Sequence, residues 1–197
     1  MLKSPENLGI IHFIGIGGIG MSGIAEILFQ SGYHVQGSDL KQSDNTNRLE
    51  KLGIKVYIGQ KKSNIIDAKI IVVSTAISEK NEEFIAAKKM FLPIVHRSEM
   101  LGELMRLKQS IAIAGTHGKT TTTSLIAKMI EENGMDPTII NGGIISSLNS
   151  NARLGNGEWM VVEADESDGS FSKLNPTAAI ITNIDLEHLD FHKNEDN

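Results

Sequence analysis

Apolar residues in this chain fall into short unbroken runs, and between the runs they recur at helical spacing. Residues 10–14 are apolar but for His12, and residues 70–73 are wholly apolar. Such runs, bounded by glycine or polar turns, predict strands buried on both faces. The pattern predicts strands at 10–14, 35–37, 55–58, 70–73 and 92–95. It predicts helices at 19–30, 46–52 (closed by Gly53), 79–89 and 98–107. Strands alternating with helices imply a parallel sheet with helices on both sides.

The alternation then restarts. A strand is predicted at 110–114, a helix at 120–133 closed by Gly134, and strands at 138–140, 159–162 and 178–181. The segment 141–157 is rich in Gly, Ser and Asn and is expected to be a mobile loop. The junction at 107–109 separates two α/β domains, 1–107 and 108–197. The fold expected is a Rossmann-like parallel-sheet domain followed by part of a P-loop α/β domain. Four strands are fewer than the roughly five or six of a mean sheet, so the second domain is expected to continue beyond residue 197.

Each domain opens on a glycine loop, and the two loops differ. Gly15-Ile16-Gly17-Gly18-Ile19-Gly20 is a G-x-G-x-x-G turn between a strand and a helix, with Asp39 ending the next strand. Its glycines suit close approach of a pyrophosphate to the helix N-terminus, and Asp39 suits a ribose hydroxyl or a solvated turn. Gly115-Thr116-His117-Gly118-Lys119-Thr120-Thr121 adds a lysine for β and γ phosphates and a hydroxyl for Mg²⁺. Ile113 stands where the usual P-loop pattern has its first glycine. The run Glu163-Ala164-Asp165-Glu166-Ser167-Asp168 follows an apolar strand, where a Mg²⁺ ligand belongs. His188, among acids, reads on spacing alone as a surface residue.

Composition narrows the chemistry. The 197 residues carry a net charge of -5, so no basic footprint for nucleic acid or acidic membrane exists. Cysteine is absent, which removes disulfides, zinc thiolates and cysteine nucleophiles and suits a cytoplasmic location. The apolar stretch 8–29 has the length of a membrane span, yet it holds six glycines. Each costs about 1 kcal/mol in a helix, so two buried elements joined by a turn are expected, without membrane insertion. Two phosphate loops in one chain point to an NTP that activates a group on a second phosphorylated ligand.

At these residues the chain resembles the Mur ligase family. The matching stretches are 12–23, 37–39, 74–77, 96–101, 114–122, 151–155, 163–168 and 182–185 with His188. The family's own lysine loop is G-T-[HN]-G-K-T, so Ile113 is no departure there. The resemblance implies an N-terminal domain for a UDP-sugar, a central Mg-ATP domain and a C-terminal domain that closes over an amino acid. The last is expected to lie outside these residues, so no ligation is expected from this stretch alone. The implied substrates are UDP-N-acetylmuramate and L-alanine, joined through an acyl phosphate in peptidoglycan precursor synthesis. Carried over by position, Gly15, Gly17, Gly18, Ile19, Gly20, Asp39, Ser74, Thr75, Ala76 and Ile77 meet the UDP-sugar. Gly115 to Thr121 and Asn183 meet ATP. Lys119, Glu163 and His188 are the catalytic set, with Thr120, Glu163 and His188 as metal ligands. Two other readings stay open: an NAD-dependent oxidoreductase, resting on the first loop, and a non-catalytic UDP-sugar-binding module. Oligomeric state is not legible.

Overall fold

The structure is a computed structural model and describes residues 4–145, 150–164 and 174–185. Packing divides the chain into two units, Met1–Met100 and Leu101–Asn197. The first contains α1 (Pro5–Leu8), β1 (Ile10–Ile14), α2 (Ile19–Gln30), β2 (Val35–Asp39), α3 (Asp44–Leu52) and β3 (Lys55–Ile58). A 3-10 turn at Lys62–Ile65, then β4 (Ala68–Val73), α4 (Glu82–Lys89) and β5 (Ile94–His96) follow. The next helix, α5 (Arg97–Met105), runs across the division. The division falls earlier than the 107–109 junction because the later part of α5 belongs with the second unit, where Gly102 lies against Leu174.

The first sheet is wholly parallel, in the order β3-β2-β1-β4-β5. Ile11, Phe13, Ile14 and Ile71 are completely buried, each stabilising the fold by about 1.5–3 kcal/mol. Chain order reverses between β1 and β4, and that is where a parallel sheet opens a crevice at its carboxyl edge. Helix α2 buries Met21 to Leu28, including Glu26, which pairs with Arg48 of α3. Burial pulls the Arg48 guanidinium below its ordinary range. It is a 12-residue helix, and among the described residues no helix is long and apolar enough to cross a membrane.

Two helix starts differ from the pattern by more than one residue, and capping explains both. The Asn81 side chain accepts from the Glu83 and Phe84 amides at 2.9 and 3.1 Å, so α4 begins at Glu82 instead of residue 79. Ser43 and Thr46 satisfy each other's backbone N–H reciprocally. This cap is worth about 1 kcal/mol and starts α3 at Asp44, two residues early.

The second unit holds β6 (Gln109–Ala114), α6 (Lys119–Glu132), β7 (Thr138–Ile145), β8 (Ser150–Arg153), β9 (Trp159–Glu163) and β10 (Ala178–Ile181). The sheet order is β10-β6-β9-β7-β8, parallel except for β8 against β7. Among the described residues five strands are present where the sequence pattern predicts four. The expected loop at 141–157 is corrected by the rest of β7 and by β8. Its polar residues hid the strands because their side chains are paired inside. Asn141 and Asn151 are 2% and 0% exposed. The Asn141 amide donates to Ser124 Oγ at 3.0 Å and to the Thr120 carbonyl at 3.3 Å.

At the amino-terminal end of this sheet, backbone packs on backbone. The Lys108 ammonium donates to the Gly155 and Gly157 carbonyls at 2.7 and 2.5 Å. A Cβ at Gly157 would overlap the Met135 carbonyl oxygen, which no rotamer change can relieve. Gly157→Ala is therefore expected to lower the unfolding free energy by about 1–3 kcal/mol, the range for overpacking. Urea unfolding measures it, and an unchanged midpoint contradicts the packing described.

Candidate functional site

In the first unit the glycine loop is fastened to the end of β2. The Gly15 and Ile16 amides both donate to the Ser38 carbonyl, at 2.8 and 2.9 Å. The Gly17 amide donates to Asp39 Oδ2 at 2.8 Å, and Gly18 donates back to the Gly15 carbonyl at 3.2 Å. Gly15 has a φ of 81°, which favours glycine. The amides of Gly15 to Gly18 thus hold the loop itself. What the loop presents to an anion is the positive end of α2, opened by the exposed Ile19 and by Gly20. Asp39 also accepts from the Leu40 amide at 2.8 Å. Its two oxygens are oriented by backbone, and each keeps capacity for a hydroxyl donor.

The segment Ser74, Thr75, Ala76, Ile77 follows β4 at the same edge and forms a turn, with the Ile77 amide on the Ser74 carbonyl at 3.1 Å. Thr75 and Ala76 are exposed. Ile77 Cδ1 lies 3.2 Å from where a Gly15 Cβ would stand, so the two loops touch. Arg97 was given no role by sequence reasoning. A Cβ at Gly20 would lie 3.0 Å from its guanidinium, so the third glycine of the loop makes room for an arginine across α2. The only signal was its place in the matched stretch 96–101.

In the second unit the lysine loop joins β6 to α6. Gly115 and Gly118 have φ of 122° and 80°, a region that L side chains avoid. The end of β10 braces the loop. Thr182 Oγ1 donates to the His117 carbonyl at 2.6 Å, and Asn183 makes two bonds to the His117 backbone, at 2.9 and 3.0 Å. The Asp185 amide donates to Thr116 Oγ1 at 2.9 Å. Asn183 therefore shapes the loop's backbone. His117 and Thr121 are exposed. The Lys119 ammonium donates to the Gly115 and Thr116 carbonyls at 2.6 and 2.9 Å, inside the curve of the loop.

Strand β9 lies beside β6, so Glu163 at its end faces the start of α6. Thr120 Oγ1 donates to Glu163 Oε2 at 2.8 Å, and the Gly142 amide donates to the same oxygen at 2.9 Å. A hydroxyl and a carboxylate that meet beside a phosphate-type loop are hard oxygen donors of the kind Mg²⁺ takes. The residues present fit that ion. Gly142 is a site residue that sequence reasoning missed, although Gly142-Gly143 after an apolar run was a visible sign of close approach. His188 and the acids at 165–168 lie outside the described residues. Among the described residues no cluster of three or more His, Cys, Asp or Glu could hold a metal.

A Cβ at Gly142 would overlap the Glu163 carboxylate. In a crystal structure of Gly142→Ala, the Thr120–Glu163 pair is expected to open beyond the hydrogen-bond limit of about 3.0 Å for such oxygens. A pair that stays closed refutes the role given to Gly142.

A wholly parallel sheet with a lysine-free glycine loop, and a second sheet, parallel but for β8, with a lysine loop facing a strand-end carboxylate, define an α/β protein with two loops of the phosphate-binding type. The chain belongs to the Mur ligase family: it matches the "Mur ligase family, catalytic domain" over residues 10–109 and the "Mur ligase middle domain" over residues 113–197. It is 62% identical over 192 residues to a UDP-N-acetylmuramate–L-alanine ligase of Parvibaculum lavamentivorans, covering 98% of this chain and 39% of that protein. It is 59% identical over 196 residues to the ligase of that name from Brucella anthropi, covering 100% of this chain and 42% of the other. Among solved structures, the UDP-N-acetylmuramate-alanine ligase of Thermotoga maritima superposes with a TM-score of 0.88 at 36% identity, over 95% of this chain and 44% of that one. The UDP-N-acetylmuramate:L-alanyl-gamma-D-glutamyl-meso-diaminopimelate ligase of Neisseria meningitides gives 0.86 at 30%, over 93% and 63%. The chain spans well under half the length of the L-alanine ligases it matches.

Proposed function

We propose that this chain supplies the sugar-nucleotide and ATP sites of a ligase that joins L-alanine to the carboxylate of UDP-N-acetylmuramate, an early step of peptidoglycan synthesis. The observation that carries the reading is the Thr120–Glu163 contact at the mouth of the lysine loop, at 2.8 Å, in a chain that also holds a lysine-free glycine loop. An NAD-dependent oxidoreductase leaves Lys119, Thr120 and Glu163 without work. A UDP-sugar-binding module leaves the same three residues idle.

The chemistry follows from the acid substrate. A carboxylate resists attack by an amine because it already carries negative charge. Transfer of the γ-phosphoryl group of ATP gives an acyl phosphate, whose phosphate is a good leaving group. The alanine amine attacks its carbonyl carbon, and the C–O bond to phosphate breaks as the amide forms. The protein positions the groups and stabilises charge, as in other phosphoryl transfers. Lys119 turns its ammonium from the loop carbonyls toward the phosphates. Thr120 and Glu163 would hold Mg²⁺, and by their match to the family pattern Glu163 and His188 would flank a second ion. Bound Mg²⁺ supplies positive charge against the β and γ phosphates. Ser74, Thr75, Ala76 and Ile77 form the second wall of the sugar-nucleotide cleft, opposite Gly15 to Gly20, and Asp39 takes a ribose hydroxyl. Asn183 serves ATP by holding the loop that binds it.

The amine is assigned from the higher identity, 62% to a protein named for L-alanine against 30% to one named for a tripeptide. The acid substrate is common to both names.

Calorimetry tests the sugar half. UDP-N-acetylmuramate is expected to bind this chain, and Gly17→Val to abolish binding. A Cβ there already lies 2.8 Å from Asp39 Oδ2 and 2.9 Å from Thr46 Cγ2. Equal affinity for both versions sinks the assignment. The metal half is read with a fluorescent ATP analogue. Glu163→Ala is expected to weaken Mg²⁺-dependent binding by at least about tenfold, the low end for loss of a group that supports a metal, and to leave sugar-nucleotide binding unchanged. Loss of both, or of neither, contradicts the division of roles.

A further inference from the structure

We propose that Glu83, a fully buried carboxylate outside both phosphate loops, is the positioning residue that fixes the glycine loop and with it the sugar-nucleotide cleft. The inference rests on the reading of that cleft given above.

Glu83 and His12 are both 0% exposed. Glu83 projects from the first turn of α4, where helix polarity favours an acid. Its Oε2 accepts from Ser38 Oγ at 2.5 Å and lies 3.4 Å from His12 Nε2. Its Oε1 accepts from Asn64 Nδ2 at 2.7 Å. Gln36 Nε2 is a donor and lies 3.2 Å from His12 Nδ1 and 2.8 Å from the Asn64 carbonyl. In neutral His12 this assigns the acceptor to Nδ1, so Nε2 carries the hydrogen toward Glu83. One carboxylate thus joins β1, β2, the 3-10 turn and α4.

A buried carboxylate is a poor device for stability alone, since an apolar side chain of similar size avoids the desolvation cost. The links made here are specific. Ser38 is the residue whose carbonyl accepts from both Gly15 and Ile16, and its neighbour Asp39 accepts from Gly17. The hydroxyl of Ser38 is therefore the handle by which Glu83 sets the loop. The same helix α4 follows the turn at residues 74–77, and its cap Asn81 receives the Glu83 amide at 2.9 Å. Glu83 ties the end of β2, which holds one wall of the cleft, to the helix that follows the other. Ile77 and Gly15, the residues where the walls touch, are thereby kept in register.

The test uses Ser38→Ala and Glu83→Gln in this 197-residue chain. Amide hydrogen exchange is followed at Gly15 and Ile16, with Ile71 as the reference. The Ile71 amide bonds to the Pro93 carbonyl in the same sheet, away from Ser38. Ser38→Ala is expected to speed exchange at Gly15 and Ile16 by about tenfold with Ile71 unchanged, a local opening in place of global unfolding. Calorimetry with UDP-N-acetylmuramate is expected to show a parallel loss of affinity of about tenfold. Glu83→Gln keeps an acceptor for Asn64 but sets an amide donor against the His12 Nε2–H where Oε2 accepted, so it is expected to speed exchange at Gly15 and Ile16 in the same direction as Ser38→Ala, again with Ile71 unchanged. The proposal is overturned if exchange at Gly15 stays unchanged, or rises in step with Ile71 as general destabilisation requires. If the unaltered chain fails to bind UDP-N-acetylmuramate, the functional reading falls, and the exchange measurement still decides the role of Glu83. Wild-type affinity in Ser38→Ala with faster exchange at Gly15 overturns the link from loop to ligand.

Discussion

Parallel strand pairing is the constraint on which both units depend. A parallel neighbour cannot be reached by a tight turn, so each strand must be followed by a crossover to the far end of the sheet. Every strand-to-helix connection then lands on the carboxyl edge. That is why Gly15 to Gly20, Ser74 to Ile77 and Arg97 share one edge of the first sheet. It is also why the lysine loop, Glu163 and Thr182-Asn183 share one edge of the second. Residues far apart in sequence meet there without any dedicated device. Thr120 and Glu163 are 43 positions apart and bonded because β6 and β9 are neighbours in register.

Fully apolar runs carried the fold in the sequence. The limits of β1, α2, β3 and β10 were legible to the residue, because each apolar run stops at a glycine, a proline or a polar turn. What failed was polar structure. β8 contains Ser150, Asn151, Ala152 and Arg153 and has no apolar alternation to read. It is a strand because Asn151 is buried beside β7, and because Arg153 forms an ion pair with Glu131 at 2.5 Å. Such pairings are tertiary facts, invisible to a local pattern. The site was legible in the same uneven way. Thr120 and Glu163 meet beside the lysine loop, a juxtaposition that motif and spacing anticipate. Gly142, Arg97 and Glu83 carry weaker local signals or none, since their contacts are made across elements.

Glycine does two separate jobs in these loops. At Gly115 and Gly118 it permits a backbone conformation. At Gly17, Gly20 and Gly142 it permits another group to come close: Asp39, Arg97 and Glu163 in turn. Gly37 belongs to the second kind, since a Cβ there would lie 2.6 Å from Ile16 Cδ1 and 2.7 Å from the Phe13 carbonyl. The glycine loop is therefore pressed onto β2 from both sides of Ser38. Its shape belongs to the sheet as much as to its own sequence.

The two kinds of solved relative add a constraint on where selectivity is written. Proteins named for L-alanine and for a tripeptide superpose on the same two units at TM-scores of 0.88 and 0.86. Their names share the acid, UDP-N-acetylmuramate, and differ in the amine. The fold common to both, on the proposed reading, holds what both need: a cradle for the sugar nucleotide and a charge-compensated phosphate loop. On the proposed reading, the difference of one amino acid against three is set by contacts beyond the two loops. The loops can then stay rigid while the amine changes. Rigidity is what the buried Glu83 network and the Thr182-Asn183 brace provide, one for each loop: Glu83 through the Ser38 hydroxyl, Thr182 and Asn183 through the His117 backbone.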